Sequence, residues 1–120
     1  MRRIKSSGSA KIISLDTKAL REELEKMAGQ LADQRDEVKA VYLIGSLARG
    51  DHTGFSDADI LIILRDSDLN PIERIRTYIP YFDLPVGVDL LVYCDDEFNE
   101  ILAQGNPMVE KMIRERQQLA

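Results

Sequence analysis

The sequence predicts a small α/β fold, a β-sheet of three or more strands flanked by helices. Two observations predict it. Short apolar runs, Val41–Ile44 and Ile60–Leu64, are bounded by glycines and polar residues in the manner of buried strands, and Gly87–Tyr93 adds a third. Around them, apolar side chains recur at helical spacing in separate segments. A length of 120 residues suits one domain, and 44% apolar content is enough for a core. The division expected is a mobile basic segment over residues 1–15 and a single domain over 16–120.

The first helix is predicted from Asp16 to near Arg35. Asp16 or Thr17 can cap it, and Leu20, Leu24, Met27, Ala28 and Leu31 form its inward stripe. Val38–Ile44 is the first strand. Tyr42 and Ile44 point one way, Val41 and Leu43 the other, so both faces of the sheet should be covered. Ser46–Arg49 opens a short helix, and 51–56 is a loop containing the one histidine, His52, read as solvated.

Ala58–Leu64 is the second strand. Asn70 caps a helix with Pro71 at its first position, and Ile72, Ile75 and Ile79 are its expected buried stripe. Asp95 or Asp96 caps the next helix, with Phe98, Ile101 and Leu102 inward and Gly105 at its end. Asn106-Pro107 restarts helix to about Gln118, its apolar face made of Met108, Val109, Met112 and Ile113. That face is expected in the core, with presentation to a partner as the alternative. Cys94 is read as a small buried side chain.

The chemistry gathers between the first two strands. Asp57 and Asp59 are two apart at the head of a strand, so both project from one face. Asp89 sits in an otherwise apolar strand, where packing calls for no charge; the structural alternative is pairing with a buried arginine. If that strand neighbours Ala58–Leu64, three carboxylates meet. Close like charges repel by about 3–4 kcal/mol per pair at an effective dielectric near 20. A divalent cation reverses that sign, and oxygen-only ligands favour Mg²⁺, with Mn²⁺ as the alternative. Two such ions can hold the attacking and leaving oxygens of a phosphoryl displacement.

Gly45 lets backbone approach a phosphate closely. The helix that follows offers free N–H groups and a partial positive charge, Ser46 adds a hydroxyl, and Arg49 could neutralise a triphosphate oxygen. A phosphate seat therefore faces a metal seat. No stacking aromatic is singled out, since Tyr42, Phe55 and Tyr93 are equally placed.

The run Gly45-Ser46, ten residues, Asp57-x-Asp59, with Arg49-Gly50 between and Asp89 on a later strand, resembles the minimal nucleotidyltransferases of the DNA polymerase β-like superfamily. The resemblance spans about Thr17 to Arg116. It implies a mixed sheet of the polymerase β-like palm type, Mg²⁺ and an NTP donor. Carried over, Asp57, Asp59 and Asp89 are the catalytic and metal-holding residues, with Asp89 the base for the acceptor hydroxyl. Gly45 and Ser46 hold the β- and γ-phosphates. It further implies transfer of AMP from ATP to a hydroxyl on a partner protein, as in antitoxins paired with helical HEPN-family toxins. The alternative is a non-catalytic NTP-binding module that neutralises a partner by occlusion.

Composition narrows the partners. The net charge is −5, and Arg2, Arg3, Lys5 and Lys11 meet no acidic residue in the first eleven positions, so the body is more acidic still. Such a surface repels phosphate backbones and disfavours nucleic acid. A single cysteine excludes an internal disulfide and fits a reducing compartment. No apolar run is long enough for a signal peptide or a membrane span, which makes a cytoplasmic location the expectation. A homo-oligomer is compatible with the sequence.

Overall fold

The structure is a computed structural model that describes residues 17–50 and 57–120, with only the backbone of Thr17. The expectations for the basic segment 1–15, for Asp16, and for the 51–56 loop with His52 and Phe55 lie outside the described residues.

Helix α1 spans Thr17–Gln34 and strand β1 Val38–Ile44. A short helix α2, Gly45–Arg49, follows without a break, and strand β2 is Ala58–Leu64. Helix α3, Pro71–Tyr78, runs into a 3₁₀ turn at Ile79–Tyr81, and strand β3 is Val88–Cys94. Helices α4, Asp95–Ala103, and α5, Pro107–Glu115, precede a two-residue strand β4, Gln117–Gln118. The sheet order is β3-β2-β1-β4. β1 is antiparallel to both β2 and β4, whereas β2 and β3 are parallel, joined through α3 as a parallel pair requires. The sheet is thus mixed and helix-flanked.

Both faces of the sheet are covered, as the double-sided apolar pattern of β1 and β2 requires. On one face, Leu24 and Leu31 of α1 pack with Val41, Leu43, Ile60, Ile62, Leu90 and Val92. On the other, Ala40, Ile44, Leu61 and Ile63 pack with Phe98 of α4, closed by Leu102, Met112 and Ile113. Strand side chains alternate between these two cores, so the register decides which face each polar residue takes. Among the described residues, no helix is long and apolar enough to cross a membrane.

Four expectations are corrected. α3 has its predicted cap: Asn70 accepts from Glu73 N at 2.9 Å and Glu73 Oε1 accepts from Asn70 N at 3.3 Å. Its stripe is rotated, however. Ile72 and Ile75 are exposed, at 64% and 39%, and Arg74 and Tyr78 are buried instead. Arg74 is drawn in because it finds a full set of acceptors. Its Nε donates to Leu69 O at 2.9 Å, and Nη1 and Nη2 grip Glu97 at 2.6 and 3.1 Å.

The cap of α4 is Cys94 rather than Asp95 or Asp96, with Glu97 Oε1 accepting from Cys94 N at 2.8 Å. The last helix stops at Glu115, not near Gln118. The chain then turns extended and pairs with β1, Tyr42 with Gln118 and Leu43 with Gln117. Met108 is 81% exposed and Met112 is only partly buried, so the expected apolar face is shared between core and surface.

Candidate functional site

The register of the parallel pair builds the site. Asp59 lies opposite Asp89 across β2 and β3, and Ala58 lies opposite Val88. Ala58, Ile60 and Leu90 belong to the core under α1. Asp59 and Asp89 alternate with them and therefore take the other face. Asp57, two residues before Asp59, points to the same side. Asp57 and Asp89 are exposed and Asp59 is half-buried.

Electrostatics report the same convergence. The carboxyl of Asp59 is held above its usual value of 3.8, first by burial and then by the charges of Asp89 and Asp57; Arg49 acts in the opposite sense. Among the described residues the one buried arginine, Arg74, is committed to Glu97, so the alternative of a buried arginine partner for Asp89 is not realised there.

Two glycines make room for the carboxylates. Gly45, at φ +75°, ends β1 directly beside Asp59, and a Cβ there would overlap the Asp59 carboxylate. A Cβ on Gly87 would stand 2.5 Å from Asp57 Oδ1. Gly87 also accepts from Ala58 N at 2.8 Å, which locks the entry of β3 to that of β2. Gly87 was not anticipated from the sequence, although Gly-Val-Asp at a strand entry signals close backbone approach.

Gly45 and Ser46 open α2, which has no side-chain cap, and Gly50 ends it in a left-handed conformation at φ +84°. The free N–H groups at the start of α2 thus sit one residue from the Gly45–Asp59 contact. Arg49, at the far end of α2, pairs with Glu115 at 3.5 Å. Gln117 Nε2 donates to Ala48 O at 2.6 Å. Glu115 and Gln117 were likewise not singled out from sequence, since a carboxylate and an amide beyond a helix carry no local signal.

Among the described residues, no three acidic, histidine or cysteine side chains are gathered closely enough to hold a metal ion as they stand. The donor set nevertheless fits a hard divalent cation. It is all oxygen, it lies on one face, glycines keep backbone clear of it, and Asp59 already carries the repulsion a cation would relieve.

The sequence profile of the nucleotidyltransferase domain matches residues 18–119. The chain belongs to that family. The family and the fold expected from the Gly-Ser and Asp-x-Asp pattern are thereby established, and so is nucleotidyl transfer as the class of reaction. A crystal structure of a protein from Sulfolobus solfataricus carrying the nucleotidyltransferase name is 23% identical, with a TM-score of 0.62, covering 79% of this chain and 85% of that one. A crystal structure of a toxin–antitoxin with AMP-PNP is 20% identical, with a TM-score of 0.51, covering 83% of this chain and 72% of that one. At these identities the likeness is one of fold. No curated protein matches the sequence of this nucleotidyltransferase domain.

Proposed function

We propose that the domain transfers AMP from ATP to a hydroxyl group on a partner protein, in a reaction dependent on Mg²⁺. The observation that carries this reading is the register of Asp59 against Asp89, which sets two facing carboxylates beside Gly45, the glycine that opens α2. Asp57, Asp59 and Asp89 would hold the cation, which when bound supplies positive charge to the phosphates and the entering oxygen. Gly45, Ser46 and the N–H groups of α2 hold the β- and γ-phosphates, and Arg49 offers charge from the other end of that helix. Asp89, the more exposed of the facing pair, takes the proton of the acceptor hydroxyl. The hydroxyl oxygen forms a bond to the α-phosphorus, the bond from that phosphorus to the bridging oxygen breaks, and pyrophosphate leaves.

One structural neighbour is a toxin–antitoxin with AMP-PNP, which supports a two-component setting here; the partner that receives AMP would then be a helical HEPN-family toxin, as the family resemblance implies. Neutralisation by occlusion is the second reading, favoured by the exposed apolar residues Ile72, Ile75 and Met108. The decisive experiment incubates the domain, Mg²⁺, labelled ATP and the candidate partner. Label should appear on the partner with wild type and not with Asp57→Asn. Equal label with both rejects transfer by this site. Full neutralisation by an unlabelling Asp57→Asn protein selects occlusion.

A further inference from the structure

We propose that the outer edge of β3 receives the acceptor as an extended, basic segment of a partner protein, which joins the sheet as a further strand and sets a serine or threonine hydroxyl beside Asp89. The hydroxyl rests on the AMP-transfer reading above; the docking edge does not.

The chain treats the two edges of its sheet differently. Outside β1 it supplies β4, and Val41 bonds to both Leu119 and Ala120. Outside β3 no described strand follows. Ala58 N donates to Gly87 O at 2.8 Å, and the parallel register then turns the backbone groups of Asp89, Leu91 and Tyr93 toward β2. Those of Val88, Leu90 and Val92 point outward. Val92 O accepts from Arg74 Nη1 at 3.4 Å. Among the described residues, nothing bonds the outward groups of Val88 and Leu90 or the N–H of Val92. Such a row of groups is a template for another strand.

The usual defences of an edge are missing. β3 contains no proline and no lysine, and its register against β2 runs without a bulge. Leu91, two residues from Asp89 on the open face, is 40% exposed.

Charge selects the occupant. Residues 77–110 hold no lysine or arginine and carry seven carboxylates, Asp89 among them. Asp95 and Glu97 are paired with Lys39 and Arg74, which leaves an acidic excess along this edge. Two copies joined through β3 would set like charge against like charge. A segment bearing lysine or arginine is attracted instead.

Geometry selects the hydroxyl. The side chain directly across from Asp89 on an added strand shares its face, with about 5 Å between the two Cβ atoms. A serine or threonine oxygen, one bond from Cβ, meets the carboxylate at that separation, whereas a tyrosine hydroxyl at the far end of its ring overshoots. The residue two positions along lies over Leu91 and should be apolar.

Hydrogen exchange of the whole chain, with metal removed by chelator, tests the edge. The probe is a synthetic peptide of alternating lysine and valine with serine replacing its central valine. It should slow exchange at the amides of Val88, Leu90 and Val92. Val88→Pro, which removes one outward N–H at the first residue of the strand, and Leu91→Lys should each weaken binding about tenfold while the β2 amides stay protected. The same peptide with glutamate for lysine should not bind. No slowing at these amides overturns the proposal, as does equal binding of the glutamate peptide or binding that both variants leave unchanged. A sedimenting dimer with the three amides protected before peptide is added gives the edge to a second copy and also overturns it. With Mg²⁺ and labelled ATP added, the serine peptide should take label and a tyrosine peptide should not; the reverse order overturns the hydroxyl assignment. Edge protection without label supports the docking and rejects AMP transfer, whereas label on serine without edge protection keeps transfer and overturns the docking.

Discussion

Gly45 and Asp59 occupy one shared space: a methyl group on the first would overlap the carboxylate of the second. Gly45→Ala therefore carries two costs. A residue with Cβ held at φ +75° loses about 1–2 kcal/mol. The Asp59 carboxylate must also swing away, out of reach of the cation proposed for this site. Denaturant unfolding should show the first loss. Labelled-ATP turnover should fall by at least a hundredfold, far beyond what that loss of stability explains. Retained turnover would mean the Asp59 rotamer is immaterial.

Asp59→Asn should separate stability from function. Asp59 binds its proton more tightly in the folded protein than the usual value of 3.8. Its contribution to stability is therefore full below 3.8 and is lost as pH rises through the folded value, where the charge forms beside Asp89 and Asp57. The metal-free variant should match or exceed wild type in melting temperature at neutral pH, and its advantage should vanish in acid. Transfer activity should disappear. A variant less stable than wild type at neutral pH would show that the carboxylates do not oppose one another.

Arg74 and Glu97 form the one described ion pair with a buried guanidinium. The same carboxylate caps α4 through Cys94 N. Glu97→Ala removes both and leaves the guanidinium short of acceptors, a loss of about 2 kcal/mol, less than for a wholly buried pair because Glu97 is 46% exposed. The Arg74 hydrogen bonds hold the Glu97 carboxyl below its usual value of 4.5. This stabilisation is present above 4.5 and fades as pH falls through the folded value. The gap between wild type and variant, followed by urea midpoints, should narrow in acid; a constant gap would point to lost packing instead.

Gln117→Leu keeps the size of the side chain and deletes its bond to Ala48 O. Unfolding should become easier by about 1 kcal/mol. The KM for ATP should rise severalfold with kcat little changed, because the loosened element is the proposed phosphate seat rather than the carboxylates. An unaltered KM would release Gln117 from any part in positioning α2.

The sequence made the carboxylates legible because a charge inside an apolar strand, or two residues apart at a strand head, has few structural uses. Asp59 against Asp89 needed only strand adjacency, and the parallel pairing supplies it. α3 was misjudged because helical spacing names two candidate stripes. The buried one is chosen by Glu97, 23 residues away from Arg74. β4 was illegible for a related reason. Gln117 and Gln118 show no alternation of apolar and polar, and their extended form comes from the free edge of β1. The cap at Cys94 likewise depends on Glu97, which Arg74 holds in place.

The alternation that places Asp59 on the open face also guards the alignment of the strands. A slip of β2 by a single residue would drive that carboxylate under α1, among Leu24, Leu31 and Val41, where an unpaired charge is not tolerated. A misaligned sheet would thereby carry a penalty that the native register avoids. Replacing Asp59 with leucine would remove that penalty, so slipped, aggregation-prone forms should accumulate even where the native state gains in stability.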